Sequence, residues 1–93
     1  MITKEEVKTA KDQWEQAKLS HSLAIAAWGL LRKHKDSIIQ SLLLTGSTQG
    51  ACFEAYEQYD EDKRKTTEEL NSFMNRAEQL YSELDAKFKL QNV

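Results

Sequence analysis

Thr45-Gly46-Ser47-Thr48-Gln49-Gly50 is the stretch of this 93-residue chain that reads most clearly as a turn, and it stands at the middle. Small polar side chains with two glycines favour backbone conformations that a regular helix excludes. On either side about forty residues run without a strong breaker, because the chain has no proline and its only other glycine is Gly29. Proline removes a backbone donor and disrupts helices, so its absence permits long ones. The chain is rich in Lys, Glu, Gln, Leu and Ala, all good helix formers. β-Branched residues are few, which argues against a sheet. The expected fold class is therefore all-α, a long antiparallel helical hairpin. It is read as one helical domain over residues 1–93, with arm one at about 3–44, a loop at 45–50 and arm two at about 51–90.

Arm one carries a heptad. Alternating steps of three and four from Val7 give Val7, Ala10, Trp14, Ala17, His21, Ala24, Trp28, Leu31, Lys35, Ile38 and Leu42, and nine of these eleven are apolar. That spacing lines them up on one stripe of a helix, as in a coiled coil. Leu19, Leu23, Leu30 and Ile39 widen the stripe beyond what one partner helix needs. Ser20-His21-Ser22 is a weak candidate for a bend.

Arm two is uneven. Phe53, Tyr56 and Tyr59 cluster near the loop, and Leu70, Phe73, Met74, Ala77, Leu80, Tyr81, Leu84 and Phe88 recur at helical spacing near the end. Residues 60–69 between them hold no large apolar side chain. Thr66 with Glu69 has the form of a capping box, which would start a third helix after a break near 60–66. With no glycine or proline to enforce that break, a continuous or slightly bent helix is the favoured reading.

An arm of about forty residues is on the order of 60 Å long at 1.5 Å per residue. Two such rods bury one stripe each, and helices draw most of their stability from packing. Self-association into a four-helix bundle or a larger oligomer is the expected solution. The residues expected at an oligomer or partner interface are Val7, Trp14, Trp28, Leu31, Ile38, Leu42, Phe53, Tyr56, Phe73, Leu80 and Leu84. Tryptophans at heptad positions are more often core than exposed anchors, although aromatics also dominate interface energetics.

Charge narrows the function classes. The net charge of −2 gives no global basic excess of the kind a dedicated duplex-DNA binder uses. The lone cysteine, Cys52, cannot form an intrachain disulfide, which favours a reducing compartment. The first twenty residues are too charged for a signal peptide, and the longest apolar stretch, residues 23–31, is well short of a membrane span. A soluble, cytoplasmic protein with no membrane partner is the expectation.

Two basic runs, Arg32-Lys33-His34-Lys35 and Lys63-Arg64-Lys65, lie at similar distances from the loop on opposite arms. A hairpin would bring Arg32, Lys33, Lys35, Lys63, Arg64 and Lys65 to one waist, a candidate anion site for a nucleotide, a nucleic-acid backbone or an acidic protein surface. The plainer reading is a solvated waist neutralised by Asp36, Asp60, Glu61 and Asp62. His21 reads as structural, and no carboxylate–histidine spacing suggests a metal. No phosphate loop, zinc-finger spacing or nucleophile motif is present, so neither enzymatic activity nor a cofactor is expected.

In length, in its central loop between two helices and in Tyr81-x-x-x-Asp85, the chain resembles in outline the small secreted hairpins of the WXG100 type. Those carry Trp-x-Gly in the loop; here the loop has no tryptophan, and Trp28-Gly29 lies inside arm one. The resemblance implies a secreted substrate with Tyr81 and Asp85 in its export signal. The leading expectation is different: a small accessory protein, self-associating, that acts as an adaptor or inhibitor on a partner protein's surface.

Overall fold

The computed structural model describes residues 1–92 and consists of three α-helices: α1, Lys4–Lys33; α2, Lys35–Leu43; and α3, Gln49–Gln91. No strand occurs among the described residues. Local chemistry fixes the ends. Thr3 caps α1, its Oγ1 accepting the Glu6 N–H at 3.2 Å, and Glu5 and Glu6 complement the positive end of the helix dipole. Thr48 does the same for α3, accepting from the Ala51 N–H at 3.2 Å. The turn itself is held by Gly46 at φ 89°, a value that favours glycine, and by the Thr45 hydroxyl donating to the Leu42 carbonyl at 2.6 Å. Gly50, expected in the loop, instead lies in the first turn of α3.

The described chain forms two compact units. In the first, Met1–Ser22 packs antiparallel to the part of α3 from Glu69 onward. Ala10 and Ala17 are buried there, and Trp14 stacks on Tyr81 with ring centroids 5.5 Å apart. Lys18 places its ammonium 3.9 Å from the Trp14 ring centre, a cation–π contact. The ends are tied by the Ile2 N–H donating to Gln91 Oε1 at 2.9 Å. The second unit is Leu23–Glu68. Its core is Ile39, Cys52 and Tyr56, with Leu31, Ile38 and Leu42 packed against it.

The third helix arises where the sequence did not suggest one. Arm two runs unbroken as α3, and the Thr66 hydroxyl donates back to the Asp62 carbonyl at 3.0 Å instead of capping a new helix. Thr67 likewise donates to the Lys63 carbonyl at 2.8 Å. The break is at His34 in arm one, with φ −102° and ψ 22°. An interruption of a helix needs an identifiable cause, and here one is a side chain entering the carbonyl ladder. The Tyr56 hydroxyl donates to the Leu31 carbonyl at 3.3 Å, one of the last four of α1, which a helix end leaves without helical partners. The Leu30 carbonyl accepts from His34 N–H at 3.0 Å, and α2 then turns Ile39 into the core. At Ser20-His21-Ser22 the helical assignment of α1 is uninterrupted.

Candidate functional site

Extending the spacing of arm two back from Phe88 gives Leu84, Tyr81, Ala77, Met74, Leu70, Thr67, Lys63, Asp60 and Tyr56 as one row of α3. Apart from Lys63, all of these are buried or half-buried. In the second unit that row is polar at Asp60 and Thr67, and Asp60 is the hub. Its Oδ1 accepts from the Trp28 indole N–H at 2.7 Å and from Arg32 Nε at 3.1 Å, and Oδ2 accepts from Arg32 Nη2 at 3.4 Å. The Arg32 guanidinium also lies over the Trp28 ring, 4.5 Å from its centre. The Arg32 hydrogen bond and then that of Trp28 hold the Asp60 carboxyl below the usual carboxylate range. The same pairing raises Arg32. Burial, helped by the Asp60 charge, pushes the Tyr56 phenol up.

The six cations of the expected waist are therefore not equivalent. Arg32 is held by Asp60, and Arg64 by Glu61 and Glu68, three and four residues away on its own helix. The Arg64 hydrogen bonds lower Glu61 and raise Arg64 itself. The Lys35 ammonium lies 5.3 Å from the Tyr56 ring centre. Lys33, Lys63 and Lys65 are exposed. A recess of about 270 Å³ bounded by Arg32, Lys35, Tyr56 and Asp60 is open to solvent on this side. Any anion entering it meets a carboxylate already seated on the guanidinium.

The expected interface residues divide in the same manner. Tyr56 is buried, and Val7, Trp14, Trp28, Leu31, Ile38, Leu42 and Leu84 are half-buried. Phe53, Phe73 and Leu80 are exposed, Phe73 at 52%. The flank of arm one is exposed too: Leu19 in the first unit, and Leu23 and Leu30 in the second, at 62% and 57%. Ile39 alone of that flank is buried.

The first unit also contains an open groove between α1 and α3. Its larger part, about 620 Å³, has Ala17 and Leu70 as floor, Phe73 as one wall and Gln13 and Gln16 as the other. A second part of about 340 Å³ continues past Ala10, Leu80 and Leu84 toward Glu5 and Glu6. Thr9 and Gln13 border both parts.

Asp60 and Glu61 were among the carboxylates expected to neutralise the waist, and they pair with Arg32 and Arg64; the Trp28 bond to Asp60 and this groove were not expected from the sequence. The inward row traced back from Phe88 was the available signal for Asp60, since a carboxylate on that row requires donors. No helix among the described residues is long and apolar enough to cross a membrane. Compared with protein-family models, with curated proteins and with solved structures, the chain matches none.

Proposed function

We propose that this chain is a helical protein-interaction module that associates with itself, the assembly acting as an adaptor or inhibitor on a partner protein's surface. The observation that carries this reading is the C-terminal half of α1. Residues 19–31 contain no Asp, Glu, Lys or Arg, in a chain that is 30% charged. A helix apolar on all sides is ordinarily buried on all sides. Here Trp28 and Leu31 contact α3 and Ala24 is half-buried, while Leu23, Ile25 and Leu30 are 62%, 49% and 57% exposed. Isolated exposed leucines are common on soluble proteins, but several on one short uncharged run mark a contact surface.

The test is the absolute molar mass in solution, by light scattering on a sizing column at low and high protein concentration. A mass of two or more chains is expected, falling toward one chain in the double variant Leu23→Glu, Leu30→Glu. Both positions point to solvent, so the variant keeps its helical signal. A wild-type mass of one chain at every concentration rules out self-association.

A further inference from the structure

The exposed edge of α1 and the groove of the first unit share a repeat. Leu23 and Leu30 are seven residues apart, roughly 10.5 Å along a helix axis. Ala10 and Ala17, the small residues at the groove floor, are also seven apart, as are Phe73 and Leu80 on its α3 wall. Knobs and holes at a common seven-residue period are the geometry by which helices interlock. Alanine at the floor matters because a third helix can then approach the α1/α3 pair closely, at the shorter end of the interaxial range.

Charge matches as well. The exposed edge is uncharged along residues 19–31 and ends in Arg32 and Lys33, of which Arg32 is engaged by Asp60 and Lys33 is exposed. The outer part of the groove is bordered by Glu5 and Glu6, and the inner part includes Asp12. A helix carrying leucines and a flanking lysine is thus complementary to an apolar groove with an acidic border, and this chain contains both. Gly29, on the same helix, is exposed, and a Cβ there would meet nothing within 4 Å. Nothing in the chain's own fold requires glycine at that point, and its absent side chain leaves room for a neighbouring helix.

We infer that the groove of the first unit receives the Leu23–Leu30 edge of a second copy of this chain. This rests on the self-association proposed above and names the two surfaces that meet. In the assembly the Leu23 and Leu30 side chains of one copy enter beside Ala17 and Ala10 of another, with Phe73 and Leu80 closing over them. Lys33 then lies near the acidic border.

The test fills the groove from its rim. Gln13→Trp and Gln16→Trp replace exposed side chains, leaving the packed stripe of Ala10, Trp14 and Ala17 untouched. Circular dichroism and melting at low concentration should match the wild type, while the dissociation constant rises at least about tenfold, as forcing a bulky ring into a packed contact implies. A second pair of variants covers the case in which a tryptophan disturbs the fold. Lys33→Glu should weaken association, and Lys33→Glu combined with Glu5→Lys and Glu6→Lys in one chain should restore it. If the groove-filled chain folds and keeps the wild-type mass while Leu23→Glu, Leu30→Glu does not, the edge pairs with itself. The groove assignment is then wrong and the interaction reading stands. Failure of the charge swap to restore association also overturns the assignment. A wild-type chain that is monomeric throughout removes both, and leaves the groove for another protein's helix.

Discussion

Replacing Asp60 by alanine takes away one carboxylate and three hydrogen bonds at once. The indole N–H of Trp28, half-buried, loses its acceptor at 2.7 Å, and Arg32 loses both of its contacts. A hydrogen bond to a charged partner contributes about 1.5–3 kcal/mol net where water is excluded. The Asp60 side chain is 25% exposed and that of Arg32 is 59% exposed, so the arginine half of the cluster is screened and contributes little. The Trp28 bond then dominates, and the expected loss is about 2 kcal/mol. For a domain of this size that lowers the melting temperature by roughly 8–16 °C. The assay is thermal and urea unfolding at one fixed, low protein concentration, since association would add stability of its own. Trp28→Phe should cost less than Asp60→Ala because the ring still packs, and in the double variant the two losses should overlap by about 1 kcal/mol. Additive losses, or an Asp60→Ala cost below about 0.5 kcal/mol, would refute the inference that the half-buried indole bond to Asp60 stabilises the second unit.

Acid should act through the same group. The Asp60 carboxyl has a folded-state pKa below its unfolded value of about 3.9, so its contribution is complete at higher pH and disappears as pH falls through the folded value. The gap in stability between wild type and Asp60→Ala should therefore be constant above about pH 5 and narrow progressively as pH falls below about pH 4 through the folded value, measured by urea unfolding across the acid range. Gly46→Ala should destabilise by about 1 kcal/mol, because φ of 89° strains any residue with a Cβ; an unchanged melting temperature would contradict the turn geometry. Gly29→Ala should act oppositely, raising single-chain stability by up to about 1 kcal/mol through helix propensity, since the added Cβ meets nothing within 4 Å. A fall in the melting temperature at low concentration would count against the open environment of that residue.

Much of the architecture was legible in residue order alone. The heptad from Val7 to Leu42 gave the inward face of arm one, and ten of its eleven positions are buried or half-buried, Lys35 being the exception. The turn was readable because Gly46 and its polar neighbours do what such residues do anywhere. The break at His34 was not, because no residue at that point disfavours helix. It is made by contact across the hairpin, where Tyr56 takes the Leu31 carbonyl and Ile39 turns into the core, and a tertiary cause leaves no local signature. Arm two runs through residues 60–69 as the favoured reading has it, and Thr66 with Glu69 shows why the alternative failed: the same residue pattern can cap a helix or lie inside one, its hydroxyl bonded to the preceding turn. At the waist the charges were visible, but which carboxylate would meet which cation depended on rotation about the helix axis. That rotation puts Asp60 inward, toward Trp28 and Arg32, and leaves Lys33, Lys63 and Lys65 in water.

Cys52 gives the second unit a built-in chemical clock. It is the chain's only thiol, 1% exposed and enclosed by Ile39 and Tyr56 four residues into α3. An alkylating reagent in solution reaches that sulfur only when the α2–α3 contact opens, so the labelling rate relative to a free thiol measures the population of the opened form. Because α2 is a nine-residue helix separated from α1 by the break at His34, that opening does not require α1 to unfold. The denaturant dependence of that single-site modification rate would then separate fraying of the short helix from global unfolding in the unaltered protein.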